Sequence, residues 1–120
     1  MEVCAPDFQS LLEHLLGSGV AVRFAARGGS MAPGIHHGEV VVVTPIGDDA
    51  IEPGEILLVA SKAEGLMIHR VVEVHGDGPG CRIVTRGDAS QVADKPTGRD
   101  EILGKVTRVE GGASQPQRVS

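Results

Sequence analysis

Glu39-Val40-Val41-Val42-Val43-Thr44-Pro45 sets four valines in succession and closes on a residue without an amide donor. Branched side chains lose rotamer freedom in a helix but pack well on a pleated surface, and proline ends a hydrogen-bonded ladder. The segment therefore predicts a buried β-strand. Downstream, residues 51–54 read as a turn and 55–60 as a second short apolar strand. Residues 66–74 predict another strand, interrupted in its middle by His69 and Arg70. A loop rich in Gly and Pro over 76–80 joins it to a strand at 81–85, a hairpin with a loop too long for the tightest turn types. Residues 86–100 are polar and turn-rich, 101–110 offer a last strand, and 111–120 have the composition of a disordered tail.

Upstream, residues 20–26 alternate as a strand does, with Val20, Val22 and Phe24 on one side. Before them Phe8, Leu11, Leu12, Leu15 and Leu16 recur at helical spacing. Asp7 is placed to cap that helix, and Gly17 and Gly19 to stop it. The expected fold is mainly β with one short N-terminal helix. At 120 residues the chain has the length of one domain, taken here as residues 1–110 followed by the tail 111–120.

Composition narrows the function. Hydrophobic residues make up 41% of the chain but aromatics only 2%, Phe8 and Phe24 alone, so the core rests on Val, Ile and Leu. Each contributes about 1.5–3 kcal/mol when fully buried. The formal charge is -5, with 16 acidic against 11 basic residues. No basic stripe or aromatic ladder is present, which argues against nucleic acid as a partner. No apolar run reaches the about 17 residues a membrane span needs, and the N-terminus does not read as a secretory signal. Cys4 and Cys81 fit neither a disulfide framework nor a zinc site and are expected as reduced thiols in a cytoplasmic protein.

Four polar positions invite a chemical reading. Ser30 lies between Gly29 and Met31, after a strand and before Pro33-Gly34. Small neighbours let backbone N–H groups approach a developing oxyanion beside a nucleophilic hydroxyl, although a turn serine bonded to its own backbone has the same surroundings. His69 sits in an apolar strand, where it is either a half-buried histidine with satisfied nitrogens or a general base. Asp88 and Asp94 can each accept an imidazole N–H or serve as turn caps, and position alone does not separate them. His36-His37 followed by Glu39 suggests metal, but adjacent residues on an extended chain point to opposite sides, so a solvated loop is the better account. His14 and His75 are weaker still, and the glycines at 28, 29 and 34 lack the ending of a phosphate loop. No metal or cofactor is expected.

The order of these segments resembles the signal peptidase I family, within the broader group of signal peptidases and self-cleaving repressors. Gly29-Ser30-Met31-Ala32-Pro33-Gly34-Ile35 followed by Gly38-Glu39-Val40-Val41 is similar to the family segment in which a serine-methionine pair precedes proline and then a glycine-acid pair. Ile51-Glu52-Pro53-Gly54-Glu55-Ile56, Ile68-His69-Arg70-Val71-Val72, Thr85-Arg86-Gly87-Asp88 with Asp94, and Leu103-Gly104-Lys105-Val106 resemble its later segments in order. Together these cover residues 26–109. The resemblance implies a signal-peptidase/repressor-protease-like β domain. Histidine at position 69, where most bacterial members carry lysine, resembles the serine-histidine branch.

The implied roles are Ser30 as nucleophile, His69 as general base and then acid, and Asp94 as the residue orienting it. Asp88, Gly29, Met31 and Arg70 are implied as supporting residues. The chain departs from the family pattern at Gly28, where a small hydroxyl residue is common, at Glu39 for aspartate, and at Ala93, where a first acid often precedes the second. It also opens on a helix and a strand where signal peptidases carry a membrane anchor. The implied activity is that of a serine endopeptidase, cleaving an extended peptide or precursor protein laid beside residues 20–26, with small residues favoured near the cleaved bond. Lack of a span suggests a cytoplasmic protein, or one held at a membrane by a membrane-associated partner. The rival is a noncatalytic peptide-binding module of the same fold. A regulatory domain akin to the self-cleaving repressors is disfavoured by the histidine and by the absence of a DNA-binding region.

Overall fold

A computed structural model describes residues 5–110 except residues 33 and 63, with the side chains of residues 5–7 and 79 also left aside. Cys4 and the tail over 111–120 lie outside the described residues. The chain opens on α1 (Ala5–Gly17), followed by β1 (Val22–Ala25), β2 (Val40–Thr44), β3 (Ile56–Ser61), β4 (Gly65–His75), β5 (Arg82–Arg86), β6 (Thr97–Gly98) and β7 (Ile102–Glu110). All seven strands join one open antiparallel sheet in the order β1-β2-β7-β3-β4-β5-β6. The mainly β expectation with a single helix holds.

β3 shows why the sheet is covered on both sides. Successive strand residues point to opposite faces, so an apolar residue at every position requires two apolar layers. Leu58 joins Leu12 and Leu16 of α1, Val41, Val43, Met31 and Ile35 in one cluster. Leu57 and Val59 join Ile46, Ile51, Val71, Cys81, Ile83 and Ile102 in the other. In β2, by contrast, Val41 and Val43 are fully buried and Val40 and Val42 only half-buried. The four valines thus serve one core face rather than two. Phe8 of α1 meets Phe24 of β1 edge to face, with centroids 5.4 Å apart, which ties the helix to the sheet edge.

Several boundaries differ from expectation. Asp7 falls within α1 rather than ahead of it, and Val20 lies outside β1 and is exposed. β4 runs unbroken through His69 and Arg70, because adjacent side chains on a strand leave on opposite sides and neither disturbs the backbone ladder. The turn-rich stretch after β5 contains the two-residue β6 and a 3-10 turn at Arg99–Glu101. A two-residue strand has no periodicity to detect.

The pairing of β4 is uneven in a way that builds the site. β3 pairs with it along Gly65–Arg70, whereas β5 joins only from Arg70 onward. Among the described residues no strand pairs with the opposite edge of residues 65–69. β1 stands at the end of the sheet and, among the described residues, pairs only with β2.

Candidate active site

Past Ala25 the chain still follows the β2 approach: the Ala26 N–H donates to the Glu39 carbonyl and the Gly38 N–H to the Ala26 carbonyl, both at 2.8 Å. Gly28 then takes a positive φ of 86° and its N–H donates to Nδ1 of His37 at 2.9 Å. The Ala32 N–H then donates to the Gly29 carbonyl and the Ile35 N–H to the Met31 carbonyl, which turns the chain around Ser30. This turn leaves Ser30 exposed while Met31 and Ile35 plug into the core. Buried anchors after the serine fix an otherwise polar turn.

The second half of the site comes from β4, β5 and the loop after β5. Nε2 of His69 lies 3.2 Å from the Ser30 Oγ, and Nδ1 of His69 lies 2.5 Å from Oδ2 of Asp94. The His69 and Asp94 side chains are 13% and 10% exposed, so water competes little for the bond between them. Asp94 is held twice by Thr85: its N–H donates to the Thr85 carbonyl at 2.8 Å, and the Thr85 hydroxyl donates to Oδ2 at 2.7 Å. An ionised carboxylate only accepts, so Nδ1 is the donor, and in the neutral ring Nε2 then presents its lone pair to Ser30.

Asp88 belongs to a different network. Arg70 grips it with Nε to Oδ1 at 2.9 Å and Nη2 to Oδ2 at 2.7 Å, and sends Nη1 to the Gly54 carbonyl. Hydrogen bonding to Arg70 holds the Asp88 carboxyl below its ordinary range, opposed by burial and helped by the charges of Arg70, Arg86 and His69. The Asp88 N–H reaches the Met31 sulfur at 3.4 Å, and the Ala89 N–H donates to the Ser30 carbonyl at 2.8 Å. Arg70, Asp88 and Met31 thus brace the turn that carries Ser30. Geometry separates the two aspartates that position could not.

Thr85 and Gly87 of β5 and the loop after it also build the site. Thr85 shares a strand face with Ile83 and is completely buried, and a buried hydroxyl needs a partner. Its place in an apolar alternation was the available signal. Gly87 is the other: a Cβ there would stand 2.6 Å from the Ser30 carbonyl oxygen and 3.1 Å from Nε2 of His69. Only a residue without a side chain lets the loop pass so close to the pair. Similarly, a Cβ on Gly34 would meet Oδ2 of Asp88 at 2.7 Å.

Ser30 opens onto a groove of about 550 Å³ lined by Phe8, Phe24, Ala25, Ala26, Arg27, Gly28, Met31, Ile35, Leu58, Leu66, Met67 and Ile68. Consecutive residues from β4 and from the end of β1 line it, as expected where a groove runs along strand edges rather than across a face. Among the described residues no group of acidic, Cys and His side chains is arranged to hold a metal, and no helix is long and apolar enough to cross a membrane. Cys81 is a free, buried thiol.

The open antiparallel sheet with one short N-terminal helix matches the β fold of signal peptidases and self-cleaving repressors. Comparison with known families agrees: the model for the Peptidase S24-like family matches residues 10–107, and the chain belongs to that family. Among curated proteins, the signal peptidase complex catalytic subunit SEC11C of Homo sapiens is 38% identical over 71 residues, covering 56% of this chain and 36% of the relative. Its counterparts in Mus musculus and Canis lupus familiaris match to the same extent. The chain spans little more than a third of the length of these relatives.

Proposed function

We propose that the chain is a serine endopeptidase that hydrolyses a peptide bond in an extended peptide or precursor, using Ser30, His69 and Asp94. The observation that carries the reading is the continuous chain of contacts from Asp94 through both ring nitrogens of His69 to the Ser30 hydroxyl at the mouth of an apolar groove. In this reading the Ser30 Oγ attacks the carbonyl carbon while its proton passes to Nε2 of His69. Asp94 steadies the resulting imidazolium through Nδ1. The C–N bond then breaks, the amine leaves with the proton from Nε2, and water repeats the sequence on the acyl-enzyme to release the acid and restore Ser30.

The strand edges at residues 22–25 and 65–69 support an extended substrate, since each has backbone groups on its groove side that a strand-like peptide can pair with. Similarity to catalytic subunits of a signal peptidase complex supports a precursor as the source of that peptide. Gly28 brings no hydroxyl, so oxyanion stabilisation falls to backbone N–H groups of the turn. The test is cleavage of an unstructured peptide library read by mass spectrometry. Wild-type chain should cut and Ser30→Ala should not, with both folded; cleavage that survives Ser30→Ala refutes the mechanism, and peptide binding without any cleavage identifies a binding module instead.

A further inference from the structure

We propose that His37 is a positioning residue for the nucleophile turn, acting through the Gly28 N–H, an inference that rests on Ser30 being the nucleophile. From sequence, His36-His37 read as a solvated loop, and His37 is indeed exposed. Its Nδ1 nevertheless accepts the Gly28 N–H at 2.9 Å. That bond continues a ladder. Backbone groups of Ala26 pair with Glu39 and Gly38, and where the chain turns into the site at Gly28 the side chain of His37 takes over from the backbone.

The handover occurs where the chain most needs it. Gly28 stands at a φ of 86°, two residues before Ser30, and nothing lies within 4 Å of where its Cβ would be. No neighbour fills the space on that side of Gly28, and the hydrogen bond to His37 is a specific restraint on its backbone. On the far side of Ser30 the turn is braced by Met31 in the core and by the Ala89 N–H on the Ser30 carbonyl. His37 supplies the matching restraint on the near side. A neighbouring network explains why the ring is available: the Glu39 carboxylate accepts the His36 N–H at 2.8 Å, which shapes the loop that carries His37.

The position of the accepting atom defines the decisive variants. An asparagine side-chain oxygen can take the place of Nδ1, whereas alanine cannot. In the full chain, the amide resonances of Gly28, Gly29 and Ser30 should shift in His37→Ala, exchange with solvent about tenfold faster, and return toward wild type in His37→Asn. A scalar coupling between the Gly28 amide nitrogen and a ring nitrogen of His37 should be present in wild type. Reaction of Ser30 with a fluorophosphonate should slow about tenfold in His37→Ala and recover in His37→Asn, since small misplacements of a reacting group cost rate. Unmoved amides and unchanged exchange in His37→Ala overturn the inference. The amide measurements do not depend on turnover, so an unreactive Ser30 in wild type would refute the peptidase reading and with it the positioning of a nucleophile, while the amides alone decide whether His37 restrains the turn at Gly28.

Discussion

Replacing Gly87 with alanine adds one methyl group at the point where the loop after β5 passes beside both Ser30 and His69. Gly87 does not occupy a positive φ, so alanine meets no backbone penalty there and the effect is steric. The new Cβ would stand 2.6 Å from the Ser30 carbonyl oxygen, about 0.8 Å short of the 3.4 Å at which ordinary contact begins, and also 3.2 Å from the Ser30 Cβ and 3.1 Å from Nε2 of His69. The carbonyl cannot simply yield, because it accepts the Ala89 N–H from the same loop. Some displacement must fall on the 3.2 Å contact between Nε2 and Oγ.

Overpacking of this kind costs about 1–3 kcal/mol of stability. A displacement approaching 1 Å at a reacting pair costs about 10²-fold in rate. The assay is the second-order rate of Ser30 phosphonylation, alongside urea unfolding to separate misplacement from unfolding. Gly80→Ala is the control, since nothing lies within 4 Å of a Cβ there and its φ is not positive, and it should stay within about 0.5 kcal/mol of wild type. Wild-type reactivity and wild-type stability in Gly87→Ala would refute the claim that this glycine is held by the closeness of the pair.

Three further outcomes follow from the same contacts. Thr85→Val removes the buried hydroxyl that donates to Asp94 at 2.7 Å, and should lower the urea-unfolding free energy by about 1.5–3 kcal/mol while slowing Ser30 labelling. Asp88, held low by Arg70, binds a proton more readily when unfolded than when folded. Its contribution is therefore full above the ordinary carboxylate range and is lost as pH falls through that range toward the lower folded value. Asp88→Asn should flatten the acid limb of stability against pH, as measured by denaturant titrations at several pH values. Leu58→Ala, which removes the β3 side chain packed under Val41, Val43 and the helix, should cost about 2–5 kcal/mol in the same unfolding assay.

What the chain shows before folding divides along physical lines. Strand identity was legible in β2 and β3 because short apolar runs bounded by turn residues have one good reading. The division of β2 into buried and half-buried valines was not, since it depends on which face α1 and β3 cover. β4 was read as interrupted because two charged or polar residues broke its apolar run, yet alternate sides of a strand accommodate both. In the site, Ser30 and His69 were singled out by residue type and by resemblance. Asp94 was preferred over Asp88 by resemblance alone; the physical difference between them lies in the path of the loop, which turns one carboxylate to His69 and the other to Arg70. His37 was read only as part of a solvated loop and Gly87 only as part of a resembling segment, because a missing methyl group and a side chain replacing a ladder bond acquire meaning only when their distant partners are in place.

The most direct measurement is the site and rate of adduct formation with a fluorophosphonate, mapped by tandem mass spectrometry in wild type, Ser30→Ala and His69→Ala. The proposed mechanism predicts a single adduct on Ser30, none in Ser30→Ala, and labelling slowed by at least about 10²-fold in His69→Ala, within the range general-base removal costs. An unlabelled wild-type chain, or His69→Ala labelled as fast as wild type, would contradict it.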